Sequence, residues 1–367
     1  MALPVALAAQ SSQFGIRGLG QPSRGLSARS LGSAGAFGLF DPESATNPAA
    51  LQSLTGVIAV FTGTQSIRNV DNPAGTSSLK DDLFPLLVFA GPAGRSPWVL
   101  GVSYSSYSSR DFTLSIVDTL EIRNVLVPIF DSLSSRGGLS DLRAAVAYKL
   151  RPDWALGGGF HVVTGSNRLQ FSRVYADPDY LPVTQKAELS FAAVGLSLGT
   201  IKQLNPRFSI AAVVRSDGNV GVDLDSTQVS EVDLPYTFGL GMRYRLNSRL
   251  EVGTQGIYRT WSGANSDLLG QGAPGAKNTV DLSLGAEYAS PRKPYKFPLR
   301  FGARYATNPY PLATGEQPSE VGVSVGSGTR FAQQRGGLDL ALEYLWRSAG
   351  GFEERALQIT LGVTVRP

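Results

Sequence analysis

From about residue 55 to the end of the chain, apolar and polar positions alternate with a period of two, the pattern of strands with one face in an apolar medium. Val280, Leu282, Leu284, Ala286 and Tyr288 alternate with Asp281, Ser283, Gly285 and Glu287. Leu338, Leu340, Leu342, Tyr344 and Trp346 repeat the pattern, as do Leu357, Ile359, Leu361, Val363 and Val365. The spacing predicts about fourteen such segments. They fall near 55–66, 82–91, 97–108, 139–150, 153–165, 186–200, 207–216, 234–246, 249–261, 277–289, 298–306, 319–332, 336–347 and 355–366. Short connectors, such as 92–96, 151–152 and 247–248, alternate with long ones, such as 67–81, 109–138 and 166–185. Short turns on one rim and long loops on the other predict an all-β fold, a 14-stranded antiparallel transmembrane β-barrel. A soluble β-sandwich or propeller would put the same alternation against a protein core.

Composition supports the barrel. Hydrophobic residues make up 42% of the chain, yet no apolar run is long enough for a helical span, so the apolar residues are spread over many short segments. The 42 Gly, 13 Tyr and 17 Phe, with no Cys, suit lipid-facing strands in an envelope compartment. Tyr148, Trp154, Phe208 and Tyr244 lie beside short turns, where an interfacial girdle belongs, and Tyr258, Tyr305 and Trp346 lie at the opposite strand ends. A net charge of +4 is too small and too dispersed for nucleic-acid binding, whereas contact with membrane lipid and anionic lipopolysaccharide stays open.

The polar face gathers charges of both signs in the lumen, among them Asp141, Arg143, Asp281, Glu287, Asp339 and Glu343. Neighbouring strands can pair them into a network that stiffens the wall. The sharper reading is an unmatched cluster of Arg243, Arg245, Arg300 and Arg304 that attracts a ligand carboxylate. Catalytic chemistry finds little support. The one His, His161, has no indicated partner, Asp177-Pro178-Asp179 reads as a turn rather than a calcium loop, and no metal or cofactor is called for. Gly157-Gly158-Gly159 and Gly326-Ser327-Gly328 match no phosphate-binding pattern and suggest close packing.

Two segments stand apart. The connector 109–138 is unusually apolar, and Leu120, Ile122, Val125, Leu126, Ile129 and Phe130 in it form a candidate external capture loop, predicted to be a helical or collapsed lid that Pro128 would end or kink. Residues 12–54 are rich in Gly, Ser and Ala without alternation, and predict a plug packed inside the barrel formed by 55–367. Residues 1–11 are apolar and contain the small-x-small triplet Ala6-Leu7-Ala8, which predicts the remnant of a signal peptide.

The run Gly25-Leu26-Ser27 to Gly38, then Asp41-Pro42-Glu43 and Asn47-Pro48-Ala49, resembles the N-terminal segment of the long-chain fatty-acid transporter (FadL) family of outer-membrane proteins. The resemblance implies a monomeric, multi-pass barrel of the bacterial outer membrane. It also implies passive uptake of fatty-acid-like hydrophobic molecules, with capture outside, passage into the plugged barrel and lateral release. Asn47, Pro48 and Ala49 are then plug elements near the gate. Family barrels usually finish on an aromatic residue, whereas this sequence finishes Val365-Arg366-Pro367. A related barrel family with a similar motif serves protein secretion and surface attachment, and a general porin would explain the charged lumen alone. These remain the alternatives.

Overall fold

The computed structural model describes residues 12–72, 75–224, 227–270, 275–289, 296–312 and 315–367, so the expected signal-peptide remnant lies outside the described residues. The alternating segments form fourteen barrel strands. They are β1 (Ile58–Asn72), β2 (Gly75–Pro92), β3 (Trp98–Ser109), β4 (Val125–Arg151), β5 (Trp154–Tyr175), β6 (Val183–Asn205) and β7 (Phe208–Ser216). The second half comprises β8 (Thr237–Arg245), β9 (Leu250–Arg259), β10 (Thr279–Tyr288), β11 (Lys296–Thr307), β12 (Ser319–Phe331), β13 (Gly336–Ala349) and β14 (Phe352–Val365). Each pairs antiparallel with the next. β14 closes the ring on β1, from Glu353 opposite Asp71 to Val365 opposite Ala59. Closure leaves no free sheet edge at the level of that seam.

The wall is inside out relative to a soluble protein. Leu282 and Leu284 on β10 are 53% and 63% exposed, whereas Asp281 between the same strands is 8% exposed; on β13 and β14, Glu343 and Glu354 are buried. The outward row would gain about 1.5–3 kcal/mol for each large apolar side chain taken out of water by lipid. Aromatic rings gather at the strand ends: Trp98 and Tyr148 lie with ring centres 4.6 Å apart, and Tyr344 and Trp346 with centres 4.4 Å apart.

The wall is uneven in height. β4, β5 and β6 run 27, 22 and 23 residues, against 9 and 10 for β8 and β9. The expected loops on the tall side are therefore largely strand, including a hairpin insert whose Gly221–Leu224 pairs with Leu189–Ala192 of β6.

The connector 109–138 corrects the expectation of a helical or collapsed lid. Phe112–Ile122 pairs with Val125–Ser135 as a β-hairpin. Arg123 and Asn124 at its tip both have positive φ (53° and 62°), as a two-residue primed turn requires. Its Val, Ile and Thr content favours strand, and Pro128 lies at the end of the β4–β5 ladder, where its carbonyl accepts from Ala176 N (2.9 Å) and its missing N–H costs only the last reciprocal bond.

Candidate functional site

Residues 12–54 fold around a few side-chain caps. Ser27 caps a single helical turn, Ala28–Leu31, by accepting from Ser30 N. Asp41 gathers three hydroxyl donors on one carboxylate oxygen, from Ser27 (2.5 Å), Ser30 (2.7 Å) and Ser44 (2.9 Å), which ties both ends of the segment's middle together. Asn47 caps the short helix Pro48–Ser53. Its Oδ1 accepts from Ala49 N (3.0 Å) and its Nδ2 donates to Leu39 O (2.9 Å). Pro48 at the first helical position gives up a donor that would be orphaned anyway.

The segment lies within the ring and follows its inner wall. Ala28 faces Gly362 of β14, Gly32 faces Gly326 of β12, and Ser33 faces both Gly302 of β11 and Gly285 of β10. Phe37 then meets Gly253 of β9, Leu39 and Phe40 meet Gly241 of β8, Asn47 meets Gly199 of β6, Ala49 meets Gly157 of β5, and Leu51 meets Gly101 of β3. A Cβ at most of these glycines would overlap the segment's atoms. Gly157 pairs with Gly199 across strands, and Gly285 pairs with both Gly253 and Gly302. The glycines thus form an inward-facing track that lets backbone approach backbone.

The inward charges are paired, and their pairing replaces the expected free arginine cluster. Arg300 sits between Glu287 (2.7 Å) and Asp339 (2.7 Å), and Arg304 between Asp281 (2.8 Å) and Glu320. Arg243 and Arg245 share Glu251 at 3.5 and 3.6 Å, and the Arg243 guanidinium rests over the Phe40 ring. Each of the four meets an acid on another strand, although Arg243 and Arg245 have only Glu251 between them. The chain of pairs extends through Arg347 and Glu354 to Arg68 of β1. Two arms reach into the N-terminal segment, where Arg24 binds Glu343 (2.7 Å) and Glu43 accepts from Arg330 (3.3 Å), Arg366 (3.0 Å) and Thr364 (3.1 Å). Burial, reinforced by the nearby Asp41 carboxylate, pushes the Glu43 carboxyl up, and Arg330 opposes this without cancelling it.

His161 has partners that the sequence did not indicate. Its Nδ1 meets Asp141 (2.9 Å) and its Nε2 meets Ser197 Oγ (2.8 Å), while Asp141 also accepts from Arg215 (2.6 Å). This has the order of a nucleophilic triad, but Asp141, His161 and Ser197 are 2%, 1% and 3% exposed. A Cβ at Gly159 would lie 2.5 Å from Ser197 Oγ, so the hydroxyl packs closely against the Gly159 backbone and is buried within the wall rather than presented at an open cleft. The cluster links β4, β5, β6 and β7 by side-chain hydrogen bonds. Asp177-Pro178-Asp179 is a turn in which Asp177 Oδ1 accepts from Asp179 N (3.0 Å).

Among the described residues, the pairing between β2 and β3 is incomplete. β2 and β3 pair only from Pro92 opposite Val99 to Leu86 opposite Ser105; above that level β2 continues to Gly75 paired with β1 but not with β3. The freed edge of β3 is taken by the N-terminal segment instead. Gln21 and Pro22 pair with Ser109 and Ser108, Ser23 N donates to Tyr107 O (2.9 Å), and the Ser23 and Ser106 hydroxyls are 3.0 Å apart. A cavity of about 120 Å3 lies behind this strip, between Arg24 and Leu26 on one side and Leu83 and Pro85 of β2 on the other. Outside the wall, Leu87, Phe89, Val102, Tyr104, Leu142 and Phe160 line an apolar groove of about 370 Å3. A further lumenal cavity of about 100 Å3 is bounded by Leu26, Leu39, Ile257, Arg24, Arg215 and Trp261. Arg24 Nη1, Arg215 Nη2 and Trp261 Nε1 are buried donors with no partner among the described residues.

No protein-family model and no curated protein matches the sequence. Among solved structures, a Pseudomonas aeruginosa FadL homologue superposes with a TM-score of 0.65 at 14% identity, over 94% of this chain and 99% of the other. The Ralstonia pickettii toluene transporter TbuX gives 0.59 at 14% identity, over 93% and 98%, and the CymD monoaromatic hydrocarbon channel gives 0.57 at 15%, over 94% and 98%. The fold is that of the FadL-type transporters.

Within this FadL-type fold, Asn47, Pro48 and Ala49 sit against β5 and β6, whereas the break between β2 and β3 is met by Gln21–Ser23. The residues expected to capture ligand lie on the hairpin: Leu120, Val125, Leu126 and Phe130 are exposed, Ile122 is half-buried, and Ile129 is buried. Sequence reasoning missed a second apolar group at the mouth, in which Leu19, Phe191, Val220, Leu234, Trp261 and Tyr310 pack together. Its members come from widely separated stretches of chain, none long enough to stand out alone.

Proposed function

We propose that the protein is a passive outer-membrane transporter of hydrophobic molecules, with residues 12–54 as its plug and the β2–β3 break as its lateral exit. The observation that carries this reading is the break itself, held shut by a strip of the N-terminal segment and flanked by an apolar groove on the lipid side. An aqueous pore needs neither feature. The exposed hairpin residues Leu120, Val125, Leu126 and Phe130 serve as the outer landing surface, and Asn47-Pro48-Ala49 anchors the plug while Gln21–Ser23 moves.

The preferred substrate is amphipathic, with a fatty-acid-like acceptor head. The unpartnered donors around the lumenal cavity, on Arg24, Arg215 and Trp261, favour a group that accepts hydrogen bonds, with Leu26, Leu39 and Ile257 beside it for the tail. The similarity to toluene and monoaromatic hydrocarbon channels supports a second reading, an uncharged aromatic cargo.

Both readings meet one experiment. The chain has no Cys, so Ser23→Cys with Ser106→Cys adds a unique pair where the hydroxyls are 3.0 Å apart. Oxidation is expected to abolish uptake of labelled long-chain fatty acid in a strain that depends on this protein, and reductant to restore it. Uptake that ignores the disulfide sinks the lateral exit; restored uptake of labelled toluene but not fatty acid would select the aromatic cargo.

A further inference from the structure

We propose that the short-turn rim of the barrel binds the anionic headgroups of phospholipids in the leaflet that meets it. Arg95, Arg151, Arg207, Arg249 and Arg335 stand in or beside the five described short turns, one to each, and all five are exposed. None forms an ion pair among the described residues, in contrast to the answered arginines of the lumen. Asp153 is the single acid in those turns. The opposite rim mixes both signs, with Asp118, Glu121, Asp179, Glu231 and Glu353 exposed on it. The +4 of the whole chain therefore hides a polarised molecule, basic on the short-turn rim.

Three features fit a phosphate-bearing lipid surface. The tip cations are all arginine, whose planar fork matches a phosphate with two parallel hydrogen bonds. Exposed apolar residues stand beside them at the same level: Leu150 next to Arg151, Leu204 near Arg207, Leu246 near Arg249, and Trp98 near Arg95. Lys202 lies 5.3 Å from the Trp154 ring centre, so a further cation is held at the aromatic girdle. The rim thus continues the lipid-facing band of the barrel directly into a ring of cations, the order in which a leaflet presents acyl chains and then headgroups.

The test reconstitutes the full protein in phosphatidylcholine vesicles containing a trace of spin-labelled phosphatidylglycerol or spin-labelled phosphatidylcholine, and reads the motionally restricted fraction of each. Phosphatidylglycerol is expected to be selected about fivefold at low ionic strength, falling towards parity in about 1 M salt. Replacing Arg95, Arg151, Arg207, Arg249 and Arg335 by Gln is expected to remove the preference, with heat-modifiable gel mobility showing that the variant barrel is folded. A wild type without preference overturns the proposal. So does a preference that survives these replacements but is lost with Arg123→Gln, Lys186→Gln and Arg355→Gln, which would put the surface on the other rim, facing lipopolysaccharide. Transport is not read in this assay, so either idea can fail alone.

Discussion

Glu43 joins the N-terminal segment to the far end of the sequence, through Arg330, Thr364 and Arg366. Its carboxyl is raised by burial first and by Asp41 second, outside the membrane-spanning strands. A group whose folded value lies above its ordinary one binds its proton more tightly when folded. Its stabilising contribution is thus complete below the ordinary glutamate value of 4.5 and is lost as pH rises through the raised value. The wild type is expected to melt at a lower temperature at pH 8 than at pH 5 in a thermal scan, and Glu43→Gln should flatten that dependence because it cannot titrate. Equal slopes in the two proteins would remove Glu43 from the account. None of this could be read from the sequence beyond the presence of Asp41-Pro42-Glu43. Glu43 and its partners are separated by 287 to 323 residues, and only barrel closure brings them together.

At the scale of elements, strands were legible because period-two alternation records the medium on each face, and each of the fourteen expected segments overlaps one observed barrel strand. Heights were not legible. Above the membrane both faces of β4, β5 and β6 meet water or protein, the alternation fades, and the tall strands read as loops. The glycine track was visible only as composition, 42 residues without assigned roles. Within Gly157-Gly158-Gly159 the roles separate by a single position. A Cβ at Gly157 would collide with the Pro48–Ala49 peptide, while one at Gly158 makes ordinary contact with Leu198 at 3.9 Å. Gly157→Val is therefore expected to unseat the anchor, at a cost of about 1–3 kcal/mol, and to open Arg24 and Arg29 to trypsin. Gly158→Val should behave as wild type. Identical digestion patterns for the two would show that the track does not seat the segment.

At the scale of the whole molecule, the wall and its contents are separable. Strand pairing closes β14 on β1 without any residue of 12–54, while the segment fills the lumen by contacting strands on opposite sides, Gly362 of β14 and Gly241 of β8 among them. Deleting 12–54 should leave a folded barrel with an open, charged lumen, since the pairs Arg300–Asp339, Arg304–Asp281 and Arg347–Glu354 lie wholly within the wall. In a planar bilayer the intact protein is expected to conduct little and the deletion variant to conduct steadily. A porin would give steady conductance in both. A secretion adaptor, by contrast, should be recovered with a large partner assembly. Little conductance from either protein would mean that the wall alone, collapsed around its ion pairs, is the barrier, and the plug would lose its function. The contrast between the two traces tests whether the glycine track holds a removable stopper or merely completes a solid core.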